Sequence, residues 1–400
     1  MTSYANSVIA EGQIDIELTW TPPHVNAVRL SSSRSPDACR VLEGKSASEA
    51  IRILPLLFNI CGRAQAVAGV NAIEQAARLP SDPGNRQARP WLVRLELVQE
   101  YLWRLLLDLP KLFQLSPAME AFVSLRQKLQ KAVAPVVADG SWLQPGATLT
   151  GLEKEVQSEI AVNLRDLLEG EVLGCEFAEW QALQEHQVFL DWLTRNGTVV
   201  GVALNRLKQK RALSVDTVEL LPAANHASWL EEVADSLASI PHFSAAPLWR
   251  GSCYETGALA RCQEHPLISA LLNAGEDIRL LRFVARIVEL VDSAEWFAKP
   301  QNEREDERWL GGEQAGKGAG FGWGETARGL LLHYVVLEQE RVGAYRILAP
   351  TEWNFNPEGA LMRELSMVQA HDEATLRDQA KLSVVALDPC VEFDVRVNHA

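Results

Sequence analysis

Between about residue 47 and residue 300, apolar side chains recur every three or four positions, and a chain patterned this way must bury one stripe of each helix against other helices. Leu92, Leu95, Val98, Leu102 and Leu105 form the clearest run, and similar stripes run through 116–134, 153–170, 177–194 and 266–296. The pattern predicts a helical bundle of some size. Before it, Ile14, Ile16 and Leu18 alternate with polar neighbours, and Val25, Val28 and Leu30 follow a Pro-Pro turn, which predicts an opening β-hairpin. After it, a charged run and a Gly-rich stretch over 300–325 predict an exposed loop, followed by β-like runs at 331–338 and 342–349 and helical signals up to about 386.

With 400 residues, 47% of them hydrophobic and 22% charged, the chain can bury a sizeable core. Lys and Arg number 38 against 52 Asp and Glu, and the net charge of −14 repels nucleic-acid phosphates and anionic lipid headgroups. No nucleic-acid partner is therefore expected. Apolar runs such as Leu330 to Leu337 fall well short of the roughly 18 residues that a membrane span requires, and no basic-then-apolar leader opens the chain. A soluble cytoplasmic protein without membrane association is the expectation.

Six cysteines, Cys39, Cys61, Cys175, Cys253, Cys262 and Cys390, are scattered singly, which predicts reduced thiols. None forms C-x-x-C, and the eight histidines form no H-E-x-x-H, so a metal site would have to be assembled from distant segments. Gly311-x4-Gly316-Lys317 resembles a phosphate-binding loop, but Gly318 stands where that loop needs Ser or Thr, and a charged segment precedes it. A flexible loop is the expectation there.

Cys61 and Cys390 gain meaning from their company, because a lone cysteine is usually a small buried hydrophobe. Six segments in order resemble the NiFe hydrogenase large subunit. Glu11-Gly12 before the first strand is similar to its opening E-G-H, and Asn59-Ile60-Cys61-Gly62 to the start of R-x-C-G-x-C-x-x-x-H. Glu255-Thr256-Gly257-Ala258-Leu259-Ala260-Arg261 is similar to E-V-G-P-L-A-R, and Glu325-Thr326-Ala327-Arg328-Gly329 with His333 to E-A-P-R-G followed by His. Pro350-Thr351-Glu352-Trp353-Asn354-Phe355-Asn356-Pro357 is close to P-T-x-W-N-x-x-P, and Asp388-Pro389-Cys390 resembles the start of D-P-C-x-x-C-x-x-H. The resemblance spans nearly the whole chain. It implies an α+β fold with a central helical bundle and small flanking β-sheets, in one unit made of a β-rich part (1–60), a helical core (61–300) and a C-terminal α/β part (320–400).

The departures from the family direct the functional expectation. Its four nickel-holding cysteines fall at Cys61, Ala64, Cys390 and Phe393, so only the outer, non-bridging pair survives. The acidic residue of R-G-x-E falls at Cys39, in the stretch from Pro36, and the histidines closing the first and last motifs are replaced by Ala68 and Arg396. Neither Ala64 nor Phe393 can donate an electron pair, so no nickel and no catalysis are expected. An Fe(CN)2(CO) fragment brings three ligands of its own, and two soft thiolates from Cys61 and Cys390 would hold it. By resemblance, Arg328 offers hydrogen bonds to the bound anion, Asp388 partners that arginine, and Glu100 is an acidic residue near the metal; a plain core ion pair of Arg328 with Asp388 or Glu100 is the alternative. Glu255, Arg261, Trp353 and Asn354 are expected to brace the fold, and Cys175, Cys253 and Cys262 to be packing residues.

These features resemble hydrogenase maturation proteins of the HoxV or HupK kind. They imply a scaffold that holds or transfers the iron fragment, with other maturation proteins and the hydrogenase large subunit as partners. A metal-free, chaperone-like mimic of the large subunit is the alternative, and a degenerate hydrogenase subunit the third.

Overall fold

The computed structural model describes residues 12–400 apart from 36–37, 59, 81–82, 149–151, 211–212, 214–218, 225–226, 301–302 and 305–308. Of the motif positions above, Glu11, Pro36 and Asn59 lie outside the described residues.

The alternating opening segment forms β1 (Gln13–Thr21) and β2 (His24–Ser32), an antiparallel hairpin turned at Pro22-Pro23. Ile14, Ile16, Leu18 and Trp20 all point into the core, as a period of two requires. Three helices follow: α1 (Ala47–Leu57), α2 (Gly62–Ala77) and α3 (Pro83–Trp103). Ser46 and Glu49 close a reciprocal capping box at the start of α1, satisfying two helix-end donors.

Leu92, Leu95, Val98, Leu102 and Leu105 enter one large apolar core with the Ile278–Ala298 helix, which is buried on nearly every face. Two predicted stripes are each divided. The 177–194 stripe forms Phe177–Gln181 and His186–Arg195, and the 266–296 stripe forms Pro266–Asn273 and Ile278–Ala298. Gly275, at φ 71°, turns the chain at the second break, and Asp277 caps the new helix by accepting from the Arg279 amide.

Two short strands, β3 (Glu219–Leu220) and β4 (Tyr254–Glu255), pair in parallel. Four more, β5 (Leu310–Gln314), β6 (Ala319–Thr326), β7 (Gly329–Glu338) and β8 (Arg341–Leu348), form an antiparallel meander. The last strand, β9 (Glu392–His399), runs parallel to β1 and completes a sheet ordered β2-β1-β9. Small sheets thus flank a helical core. No helix among the described residues is long and apolar enough to cross a membrane.

The expectation of an exposed loop over 300–325 is corrected, because β5 and β6 occupy 310–326 and every residue of β6 is buried. Its glycines serve close packing. A Cβ on Gly322 would lie 2.3 Å from the Ala68 carbonyl oxygen and 2.5 Å from the Ala72 nitrogen, so the backbone of α2 rests directly on the strand. The segment resembling a phosphate loop is a hairpin: Gly311 belongs to β5, and Gly316, Lys317 and Gly318 make the turn into β6. No helix follows that turn, so the strand-loop-helix context of a nucleotide site is missing.

Candidate functional site

Five stretches of the chain, 33–38, 57–65, 326–328, 349–350 and 390–391, converge on one cleft. Cys61 stands at the N-terminal boundary of α2, yet its side chain makes no cap hydrogen bond. Glu96 of α3 does that work instead, its carboxylate accepting from the backbone amides of Arg63 (3.0 Å) and Ala64 (2.9 Å). The Cys61 sulfur is thereby left to the cleft. Burial outweighs these two hydrogen bonds and raises the Glu96 carboxyl to about 7.

Cys390 arrives from the other end of the chain. The helix Glu373–Leu387 stops at Asp388, whose backbone is left-handed at φ 60°, and Pro389 keeps the helix from continuing. Thr351, in the short helix Pro350–Asn354, places its hydroxyl 3.1 Å from Cys390 Sγ.

Arg328 sits in the turn between β6 and β7. Asn354 ties the turn down, donating through Nδ2 to the Arg328 carbonyl (3.2 Å) and accepting through Oδ1 from the Thr256 amide (2.9 Å). Thr256 Oγ1 in turn accepts from the Leu330 amide at 3.0 Å. Gly329 is required where these segments cross: its φ is 129°, and a Cβ there would lie 2.4 Å from Thr256 Cγ2. Three of the motif segments are therefore stitched into one support.

Cys61, Cys390 and Arg328 line the same cleft with Gln65 and Thr326, and Leu57 and Phe58 line it as well. It is partly open to solvent. The ion pair Arg34–Glu352, at 3.0 Å, lies between it and a second cleft bordered by Thr351 and Phe355.

Charge at the site is closely matched. Arg328 Nη2 reaches Glu100 Oε2 at 3.0 Å and Asp388 Oδ1 at 3.3 Å. Arg104 Nε also contacts Asp388 Oδ1, at 2.5 Å, and Arg104 pairs with Asp108 one turn away. Burial alone would raise the Asp388 carboxyl, but the guanidiniums of Arg104, Arg328 and Arg286 outweigh it and hold it below the usual carboxylate range. Burial likewise opposes the charge on Arg328, and Asp388 and Glu100 overcome it and raise its pKa. Burial pushes the Cys61 thiol up to about 12, the neighbouring Cys390 and Glu96 adding to it against the pull of Arg328 and Gln65. Among the described residues Arg328 Nε and Nη1 and Asp388 Oδ2 are buried without hydrogen-bond partners, and the two arginine donors suit an anionic ligand in the cleft.

All five residues singled out from the sequence, Cys61, Cys390, Arg328, Asp388 and Glu100, thus lie in or against this one site. The vacated ligand positions are filled differently. Ala64 is buried in a small apolar cluster with Val67, Ala68 and Val93, and Phe393 lies in β9 opposite Ile14. Arg396 is exposed and pairs with Asp15 at 3.1 Å. Cys39 is turned into the core beside Leu42 and Ile51, donating to the Tyr345 carbonyl at 3.2 Å, and does not line the cleft.

Glu255 pairs with Arg282 (2.8 Å), and Arg261 with Glu289 (2.6 Å) and Glu325 (2.5 Å), within the core. Cys253 and Cys262 are buried and Cys175 is half-buried. Among the described residues no group of three or more His, Cys, Asp or Glu side chains is placed to hold a metal ion. Sequence reasoning missed Glu96, Arg104, Asp108, Gln65 and Thr351. The i, i+4 spacing of Arg104 and Asp108 was a usable signal for that pair alone.

Comparison with known proteins agrees with this architecture. Residues 280–391 match the family described as nickel-dependent hydrogenase. Over its length the chain is similar to the hydrogenase expression/formation protein HoxV of Cupriavidus necator, at 31% identity covering 94% of each chain. It is also similar to HupV of Azotobacter chroococcum mcd 1, at 30% identity covering 97% of this chain and 99% of the other. Among solved structures, the Ni-Fe-Se hydrogenase from Desulfomicrobium baculatum superimposes with a TM-score of 0.61 over 93% of this chain and 95% of that one, at 15% identity. That likeness shows a shared large-subunit fold.

Proposed function

Because the chain belongs to the family of hydrogenase expression/formation proteins that includes HoxV and HupV, we propose that it acts in hydrogenase maturation as a non-catalytic scaffold. Its cargo in this reading is the Fe(CN)2(CO) fragment, held by Cys61 and Cys390 and passed to a hydrogenase large subunit, with other maturation proteins as donors. The setting is the cytoplasm, where thiols stay reduced.

One observation carries the reading: two thiols from opposite ends of the chain line one cleft with a buried arginine, two of whose donors have no partner among the described residues. Thiolates are soft ligands suited to low-spin iron, and a guanidinium is a strong directional donor to an anion. An iron that carries its own carbonyl and cyanides needs few protein ligands, which fits a site offering two. Ala64 and Phe393 offer none, so the reading includes neither nickel nor hydrogen cleavage.

The test is infrared spectroscopy of the protein purified together with its maturation machinery. Cyanide and carbonyl stretching bands are expected, and both Cys61→Ala and Cys390→Ala should lose them while circular dichroism stays that of the folded protein. A preparation that binds its partners but shows no such bands would overturn the cargo reading in favour of a metal-free mimic of the large subunit. Hydrogen oxidation by the isolated chain would overturn the non-catalytic one.

A further inference from the structure

Gln65 lies one helical turn after Cys61 on α2 and is almost fully buried at 1% exposure. Its Nε2 is 3.7 Å from Cys61 Sγ, and its Oε1 is 2.9 Å from His333 Nε2. His333, with no exposed surface, places Nδ1 2.8 Å from the Tyr345 hydroxyl, the two rings standing at 83°. That hydroxyl occupies space that a side chain on α2 would take, since a Cβ on Gly69 would lie 2.7 Å from it. Four residues from α2, β7 and β8 thus form one buried polar line ending at a thiol of the cleft.

We propose that Gln65 is the positioning residue for Cys61, presenting its amide NH2 to the sulfur because His333 and Tyr345 fix which way the amide faces. Burial keeps the imidazole neutral, holding His333 at about 3, so the ring carries a single N–H. If the Tyr345 hydroxyl donates to Nδ1, that hydrogen sits on Nε2 and must be accepted by Gln65 Oε1, and the NH2 then faces Cys61. In the reverse arrangement Nδ1–H donates to Tyr345 and Nε2 accepts from the amide, which leaves a carbonyl oxygen against the sulfur. A metal-bound sulfur has no hydrogen to offer that oxygen. Only the first arrangement serves a ligand sulfur, and it aims a donor at it, as hydrogen-bonded supports of metal ligands do. Among the described residues Gln65 is the one side chain hydrogen-bonded to Cys61, the neighbouring positions being Ala64 and Ala68.

This inference rests on the cargo reading for its purpose but not for its first test. In the cargo-free wild-type protein, nitrogen-15 NMR of the His333 ring should show the Nε2–H tautomer, and the Nδ1–H tautomer would overturn the proposal. Tyr345→Phe removes only the hydroxyl, and the Nε2–H preference should then be lost; an unchanged ring spectrum also counts against the line. On protein carrying the infrared bands, Gln65→Leu should shift them and lower retention of the fragment by about 10-fold or more. Where Gln65→Leu does not fold, Tyr345→Phe carries the same measurement with shifted bands expected. Bands unmoved in the folded variant overturn the proposal while leaving the cargo reading intact. An Nε2–H ring in a protein that never shows bands does the reverse.

Discussion

Asp388 is the pivot of the site among single side chains, because one oxygen meets two guanidiniums while the left-handed backbone at the same residue releases Cys390 from its helix. Removing a buried partner from such a set leaves an uncompensated charge, which is why each member depends on the rest. His333 allows a cleaner measurement. Its folded-state value of about 3 lies below the ordinary 6.5, so the unfolded chain takes up a proton that the folded chain refuses as pH falls between those values. Its contribution is therefore fully present above about 6.5 and is lost toward 3, at about 1.4 kcal/mol per pH unit. Glu96 works oppositely between its ordinary value and about 7, because the folded chain there binds the extra proton and stability falls as pH rises. The expected outcome is a urea-unfolding profile whose slope between pH 6 and 4 changes by one proton between wild type and His333→Gln. Equal slopes would show that the ring is charged in the folded protein. At this scale Cys61, Cys390, Arg328 and Asp388 were legible because each sits inside a short motif. Arg104, Glu96 and Gln65 were not, because what identifies each is a partner from another element that no local pattern records.

Among the elements, α2 shows what the helical periodicity could and could not reveal. Its alanine-rich sequence predicts a helix, but small side chains on every face carry no information about which face meets what. The answer lies in β6, where Gly320 and Gly322 let the backbone of α2 descend onto the sheet. Those glycines resembled loop composition because flexibility and close approach use the same residue. Gly322→Val should therefore destabilise the protein by about 1–3 kcal/mol or more, toward the upper end because backbone atoms of Ala68 and Ala72 must move. Cys61 begins this helix, so the same variant should also speed alkylation of Cys61, measured by mass spectrometry of the modified peptide. A normal urea midpoint with unchanged alkylation would mean that the helix is not seated on those glycines. The wide π-helical turn at Arg104–Asp108, just after α3, was equally invisible: the Leu-rich stretch reads as a regular helix, yet this turn carries the arginine that reaches Asp388.

Across the whole molecule, the site exists because the two ends of the chain are joined in one sheet. Strand β9 pairs with β1 in parallel from Gln13 opposite Glu392 to Trp20 opposite His399, and it begins two residues after Cys390. Its alternation is weak to the eye, with Val395 buried and Arg396 exposed among polar neighbours, so only the first strand of the pair was legible. A parallel pairing between segments more than 370 residues apart also has no turn signal to announce it. Removing residues 392–400 should strip β1 of one of its two hydrogen-bonding neighbours, leaving it β2 alone, while the helical core keeps its own contacts. The far-ultraviolet helical signal should persist, the melting temperature should fall by several degrees, and amide exchange should accelerate in β1. Cys390, no longer held between Asp388 and the strand, should become more reactive toward iodoacetamide than Cys61. Retained protection of β1 amides together with a slow Cys390 would show that the Asp388 charge cluster and Thr351 hold the C-terminal thiol by themselves, and that the strand serves only the stability of the sheet.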